Sequence, residues 1–351
     1  MAIETYTPSQ ERARQLLDRG YNGFKTGRPG TGKTEFINDY CATLGSHGKR
    51  VLLTASTGLA ASNLNNGRTL HSILKWHPHR TDYDYNICTE LLKRIDVLVV
   101  DEVSMLCSSI IEHLCICLER MILKPQLIMI GDFFQLPPVA RNNIERHYPF
   151  ENYYWSKLNL HICILNEVVR QTDKEFLEML DQARYGNACC IKYFNDKTRS
   201  QKIKDAITIC TRNDETNKIN LDMMNRLPGT VKFCEAIGNV EDANFNQSRF
   251  LKTLEVKLEM RVMSIQNDIC GNYHNGSLGT VKTITNDYIG VLFDHGNYIK
   301  IRPVICEIEN IHSEKPPVKI LQYPLRGGAA ITIHKSQGQT FEAANIVADN
   351  C

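Results

Sequence analysis

The 351-residue sequence carries almost no net charge, its 41 lysines and arginines exceeding its 39 acids by two. This excludes a polycation that coats nucleic acid indiscriminately, so any phosphate-binding surface must be local. No apolar run approaches the roughly 18 residues of a membrane span, and no membrane partner is expected. The opening MAIETYTPSQ has an acid where a mitochondrial presequence would carry arginines, and no signal peptide is visible. An intracellular protein is expected, nuclear in a eukaryote or a nuclear virus and cytoplasmic otherwise. The 13 cysteines are odd in number and scattered, which is no disulfide scaffold. The closest pairs, Cys115 with Cys117 and Cys189 with Cys190, lack the two-residue gap of zinc-binding thiolates, and no histidine pair completes a set, so no structural metal is expected. Repeats and low-complexity tracts are absent too. What remains, 42% hydrophobic and 23% charged residues, is globular composition, and the length suits two domains with a core each.

Short β-rich runs alternate with amphipathic stretches from about Gly23 to Leu165, the pattern of a parallel sheet with crossover helices. VLLT at 51–54, DVLVV at 96–100 and QLIMI at 126–130 read as buried strands. The helical period of SMLCSSIIEHLCICLERMI joins the last two as a βαβ unit, whose strand-end loops are where ligands bind. A second αβ region begins near Leu165 with helices in DKEFLEMLDQAR and NDETNKINLDMMNRL and a strand at 206–210. From about Val231 to Pro317 short alternating runs separated by turns indicate a small β-barrel or sheet inserted in it. AAITI at 329–333 returns to the αβ style. The expected division is 1–165, then 166–230 together with 318–351, with 231–317 as the β-rich insertion.

The sharpest chemical signal is GRPGTGKT, Gly27–Thr34, a full match to the phosphate-binding loop. Gly27, Gly30 and Gly32 would let backbone N–H groups curl around an anion, with Pro29 and Thr31 in the same ATP-binding loop and the next helix pointing its positive end at the phosphates. Lys33 would meet the β- and γ-phosphates of ATP and the Thr34 hydroxyl would ligate Mg2+. A glycine-rich turn opening an ordinary helix is the alternative, and the preceding YNGFKT is a weak strand. VLVVDEVSM delivers Asp101, to hold the metal through water, and Glu102, to orient and deprotonate the attacking water. The same acids could simply cap the next helix. GDFFQLPPV ends a third strand, where Asp132 can sense the γ-phosphate and Gln135 can position water; in isolation it would be a proline-terminated turn. Near the N-terminus Thr7, Pro8, Ser9 and Gln10 satisfy a helix capping box.

With TPSQ, GRPGTGKT, VVDEVSM, GDFFQLPPV, NEVVRQ and ITIHKSQGQT in this order, the chain closely resembles superfamily-one helicases of the RecD and PIF type, and GDFFQLPPV and HKSQGQT point to the PIF branch. The resemblance implies an α/β fold of two RecA-like P-loop domains with parallel sheets, the second carrying a small β-barrel insertion. It also implies an ATP-dependent DNA helicase moving 5′-to-3′ on single-stranded DNA in replication, recombination or repair. Single-stranded DNA, single/double-strand junctions and other replication or repair proteins are the implied partners. Gln10 then resembles the adenine reader and Arg170 an arginine finger reaching the γ-phosphate from the second domain; such fingers give about 10³–10⁵ in rate. Gln337 and Gly338 resemble the family's ATP contacts.

For DNA, Ser56, Thr57, Thr69 and His71 resemble first-domain backbone contacts; helix capping and packing in a Ser/Thr-rich loop is the other reading. His334 and Lys335 resemble the segment coupling DNA to ATP. Asn275, in YHNGSLGTV, is either a DNA contact or part of a plain hairpin. Trp76 lies in a wedge-like insertion near 75–90 and either stacks on bases or packs locally. The family's last motif, of the type VALSRA, has no counterpart in this sequence. A C-terminally incomplete helicase is therefore expected, and the rival reading is a nucleotide-gated single-strand DNA binder with little or no turnover.

Overall fold

The computed structural model describes residues 5–76, 83–138, 147–169, 173–198, 201–204, 206–245, 248–268, 270–308, 310–311, 316–337, 339 and 341–347, with the side chains of 59 and 62 excepted. The chain divides into two compact units, Met1–Arg199 and Ser200–Cys351. Among the described residues no helix is long and apolar enough to cross a membrane.

The first unit is built on a six-stranded sheet. Its strands are β1 (Gly23–Gly27), β2 (Val51–Ala55), β3 (Arg68–Thr69), β4 (Val97–Asp101), β5 (Gln126–Ile130) and β6 (His161–Leu165). They run in the order β3-β2-β4-β5-β1-β6 with every pairing parallel. The continuous apolar runs VLVV and LIMI have a simple cause. Side chains alternate faces along a strand, and both faces of this sheet are covered. Leu98, Val100, Leu127 and Met129 enter one core with α5 (Tyr85–Leu92) and α6 (Ser108–Glu119). Val97, Val99, Ile128 and Ile130 enter the other with α1 (Pro8–Asp18) and α2 (Lys33–Ser46). Each such fully buried aliphatic side chain contributes about 1.5–3 kcal/mol. The short helices α3 (Gly58–Ser62) and α4 (Leu70–Ile73), with α7 (Tyr153–Lys157), α8 (Lys174–Arg184) and α9 (Cys189–Lys197), complete the unit.

The weak strand YNGFKT forms β1 after all, next to the centre of the sheet. It reads as weak because it contains Lys25, which is 1% exposed. The Lys25 ammonium has no hydrogen-bond partner among the described residues and lies 5.0 Å from the centre of the Phe36 ring. Burial lowers its pKa from 10.5 to about 8. The unfolded chain therefore binds more protons between about pH 8 and 10.5, and stability should rise with pH across that window; below the folded value the burial penalty is fully present. Lys25→Met is expected to raise stability at pH 7 by roughly 1–3 kcal/mol and to flatten this rise, as measured by urea unfolding at a series of pH values.

In the second unit β7 (Ile207–Cys210) lies between β18 (Ala330–Thr332) and β19 (Ala344–Val347), all parallel. Helix α10 (Asn213–Arg226) follows β7, and its Asn220 side chain bonds both the carbonyl and the N–H of Ala330. The β-rich part holds β8 (Lys232–Glu235), β9 (Ile237–Gly238), β10 (Thr253–Val256), β11 (Arg261–Ser264), β12 (Leu278–Ile284), β13 (Ile289–Phe293), β14 (Tyr298–Ile301), β15 (Val304–Ile308), β16 (Val318–Gln322) and β17 (Leu325–Gly327). Five of these form the antiparallel order β14-β13-β12-β11-β17, with no β14–β17 pairing among the described residues. Residues 318–327 are paired into these β-rich sheets and not beside β7.

Candidate active site

The loops at the carboxyl ends of β1, β4 and β5 converge because those strands are neighbours and parallel. Gly27 closes β1 at φ +153°, and a Cβ there would stand 2.4 Å from the Leu165 carbonyl oxygen on β6, so only glycine fits. Gly32, the residue before α2, is left-handed at φ 71°. The free N–H groups of the first turn of α2 thus open into the loop, a ready anion site. The Lys33 ammonium donates to the carbonyls of Gly27 at 2.8 Å and Arg28 at 2.9 Å. Burial pushes its pKa down, while Asp132, Glu102 and Asp101 pull it back up.

One residue on, the Thr34 hydroxyl donates to Asp101 Oδ2 at 3.1 Å. Asp101, 3% exposed, also accepts from the Glu102 N–H at 2.8 Å. Burial raises its pKa, against the pull of those two bonds and of Lys33. Glu102 sits at φ 52°, a left-handed backbone that costs a residue with a side chain on the order of 1 kcal/mol.

Asp132 is 0% exposed and accepts from the Phe134 N–H and from Gln135 Nε2, each at 3.1 Å. Its third partner is Arg184, whose guanidinium forms a buried ion pair with it and stacks over Phe134, 4.6 Å from the ring centre. The same helix, α8, sends Asp181 to Arg28 in the loop at 2.7 Å. Two charges of opposite sign, three residues apart on DKEFLEMLDQAR, therefore dock on the loop and on the β5 exit. The sequence reading took α8 only as a helix; the charge pair on one helical face was the available signal.

Gln10 is 3% exposed. It completes the capping box of α1, its Oε1 accepting from the Thr7 N–H at 3.0 Å, and its Nε2 donates to the Thr31 carbonyl at 3.3 Å. This capping-box glutamine is thus also a wall of the loop, beside Gly32. Glu167 accepts from Thr7 at 3.1 Å and from Ser9, and those bonds, Ser9 foremost, keep its pKa low. The Val169 N–H donates to Gly30 at 2.9 Å. The segment leading to Arg170 is in this way tied to the phosphate loop, a connection the sequence did not reveal. Arg170 and Gly338 themselves lie outside the described residues, as does the 77–82 part of the wedge-like insertion.

The expected DNA residues fall apart by role. Thr57 and Thr69 spend their hydroxyls on helix caps, accepting from Ala60 N–H at 3.1 Å and Ser72 N–H at 3.3 Å. The Ser56 N–H bonds the Asp101 carbonyl at 3.1 Å, linking this strand end to the acid expected to hold the metal. The rings of Trp76 and His71 meet edge to face at 5.3 Å, and Trp76 packs on the core. In the second unit His334 and Lys335 lie in α11 (Ile333–Ser336), with Gln337 capping its end. Burial, then Arg326, pushes the Lys335 pKa down. Asn275 sits in a tight turn, its N–H bonded to Asn267 Oδ1 at 2.7 Å.

Residues 11–189 match the model of the PIF1-like helicase family. The chain is 25% identical to the ATP-dependent DNA helicase Pif1 of Campylobacter jejuni, over 92% of its own length and 81% of the relative's. It is 30% identical to the ATP-dependent DNA helicase PIF1 of Danio rerio, over 93% of its length but 54% of the relative's. Among solved structures it resembles the Pif1 helicase from Candida albicans, with a TM-score of 0.83 at 25% identity, covering 98% of this chain and 89% of that one. Bacteroides Pif1 bound to single-stranded DNA gives a TM-score of 0.78 at 27% identity, covering 98% and 86%.

Proposed function

This chain belongs to the PIF1-like helicase family and is an ATP-hydrolysing DNA helicase; we propose that it moves 5′-to-3′ on single-stranded DNA and opens single/double-strand junctions in replication, recombination or repair. The observation that carries the reading is the convergence of Lys33, Thr34, Asp101, Glu102 and Asp132 on one loop that offers an anion site. ATP would lie with its phosphates in the Gly27–Thr34 loop, Lys33 between the β- and γ-phosphates, and Gln10 at the base. Thr34 and Asp101, a hydroxyl and a carboxylate already 3.1 Å apart, fit Mg2+, which takes oxygen ligands. The bound metal would supply charge neutralisation at the phosphates. Glu102 then takes the proton of the attacking water, Gln135 positions that water and Asp132 senses the γ-phosphate; the family resemblance assigns further phosphate contacts to Arg170, Gln337 and Gly338.

For DNA we propose Ser56, Thr57, Thr69, His71, Trp76, Asn275, His334 and Lys335 as the contacts. The proposed motor layout shifts from the expected one: the first part extends to about 199, with α8 and α9, the second is 206–230 with 328–351, and the β-rich part is 231–327, because 318–327 pair into its sheets. The test is phosphate release with and without single-stranded DNA, joined to strand separation on duplexes tailed at the 5′ or the 3′ end. DNA-stimulated turnover with separation of 5′-tailed duplexes alone is expected, weakening steeply with salt. Separation of 3′-tailed duplexes would reverse the polarity, and nucleotide-dependent DNA binding with no turnover would replace the motor by a gated binder.

A further inference from the structure

Away from the nucleotide site, α5 and α6 bring three soft ligands together. Cys88 comes from α5; His113 and Cys117 come from one face of α6, four residues apart. They are 2%, 3% and 0% exposed, and one ligand atom of each lies within 4.8 Å of the others. His113 Nε2 is buried without a hydrogen-bond partner among the described residues. An unsatisfied polar atom in a core costs about 1–3 kcal/mol, a cost that filler side chains would not normally retain. The His113 ring is fixed by Tyr83, edge to face at 4.5 Å, and by Tyr85 at 4.6 Å. Cys88 Sγ donates to the Leu74 carbonyl at 2.9 Å.

We propose that Cys88, His113 and Cys117 bind one zinc ion. Zinc takes thiolates at about 2.3 Å and imidazole at about 2.0–2.1 Å, so tetrahedral ligand atoms stand roughly 3.5–3.8 Å apart; side-chain rotation of about an ångström closes the observed cluster. Two thiolates neutralise the dication, which makes the unit electrically suited to a dry core. Binding releases two thiol protons to solvent. The Leu74 carbonyl loses its thiol donor in that step, and a water molecule would complete the tetrahedron. Thiolates and imidazole select zinc over the magnesium that the oxygen ligands Thr34 and Asp101 suit. The ion would pin α5, which begins within the wedge-like insertion, to α6, which follows Glu102. No paired Cys-x-x-Cys advertises such a site, because its ligands come from two helices and meet only through packing.

The test uses the full chain, expressed with zinc and purified reduced. Elemental analysis should find about one zinc per chain, falling well below half in Cys88→Ser, His113→Gln and Cys117→Ser and unchanged in Cys189→Ser, an exposed cysteine elsewhere. Because buried substitutions can misfold, the wild type gives a second reading. After removal of zinc, cobalt(II) should produce a thiolate-to-cobalt absorption band that saturates at one equivalent, and a chelator should lower the thermal midpoint. Magnesium bound at Thr34 and Asp101 gives no such band. Wild-type protein with far less than one zinc and no cobalt–thiolate band, equal loss of metal in Cys189→Ser, or a Cys88–Cys117 disulfide in place of metal in the reduced preparation would overturn the proposal.

Discussion

Glu102→Gln should bind ATP about as well as the wild type and hydrolyse it roughly 10²–10⁴-fold more slowly, the range removed with a general base. The substitution keeps the size of the side chain and the left-handed backbone at φ 52°, so folding should be unchanged. Lys33→Ala should behave differently. Its ammonium is a half-buried cation that bonds the Gly27 and Arg28 carbonyls and is placed to turn to phosphate oxygens. Hydrogen bonds to a charged group contribute about 1.5–3 kcal/mol, so ATP affinity should fall roughly 10–150-fold and DNA-stimulated hydrolysis with it. Equilibrium binding of a fluorescent ATP analogue, beside single-turnover phosphate release, separates the two. A Glu102→Gln protein with wild-type turnover would remove Glu102 from the chemistry.

Arg184→Met should be the most destabilising single change at the site. Asp132 is 0% exposed and Arg184 is its ionic partner; removing one member of a buried pair costs about 3–5 kcal/mol, because the other charge is left uncompensated. Thermal unfolding should drop by roughly 2–4 °C per kcal/mol for a unit of this size. The double variant Arg184→Met with Asp132→Asn should recover much of the loss, since no buried charge then stands alone. Hydrolysis should stay low in the double variant, because Asp132 is no longer ionic at the β5 exit. If the single variant melts like the wild type and the cycle shows no coupling, Asp132 is not held by Arg184.

The nucleotide half of the site was legible because its chemistry is local. Gly27–Thr34 is one contiguous loop, and Asp101–Glu102 and Asp132–Gln135 sit at the ends of strands whose apolar runs are unmistakable. The Thr7–Gln10 capping box was legible for the same reason. Residues that act through packing were not. Arg184 and Asp181 read as ordinary helix charges, Lys25 read as a defect in a strand, and Cys88, His113 and Cys117 matched no spacing rule. Thr57 and Thr69 illustrate the opposite hazard: a hydroxyl placed for DNA by resemblance also caps a helix by itself.

By itself the sequence determined the parallel αβ architecture around the phosphate loop, the candidate groups proposed for phosphate and metal, and the helicase family. Periodicity, capping and glycine-rich turns act over a few residues, and so does the physics that sets them. Only the tertiary structure decided which distant side chains share a buried space: Arg184 with Asp132, Gln10 with the loop wall, and three soft ligands between α5 and α6. Such pairings follow from the order in which strands enter the sheet and from desolvation of charge, neither of which leaves a periodic mark on the chain.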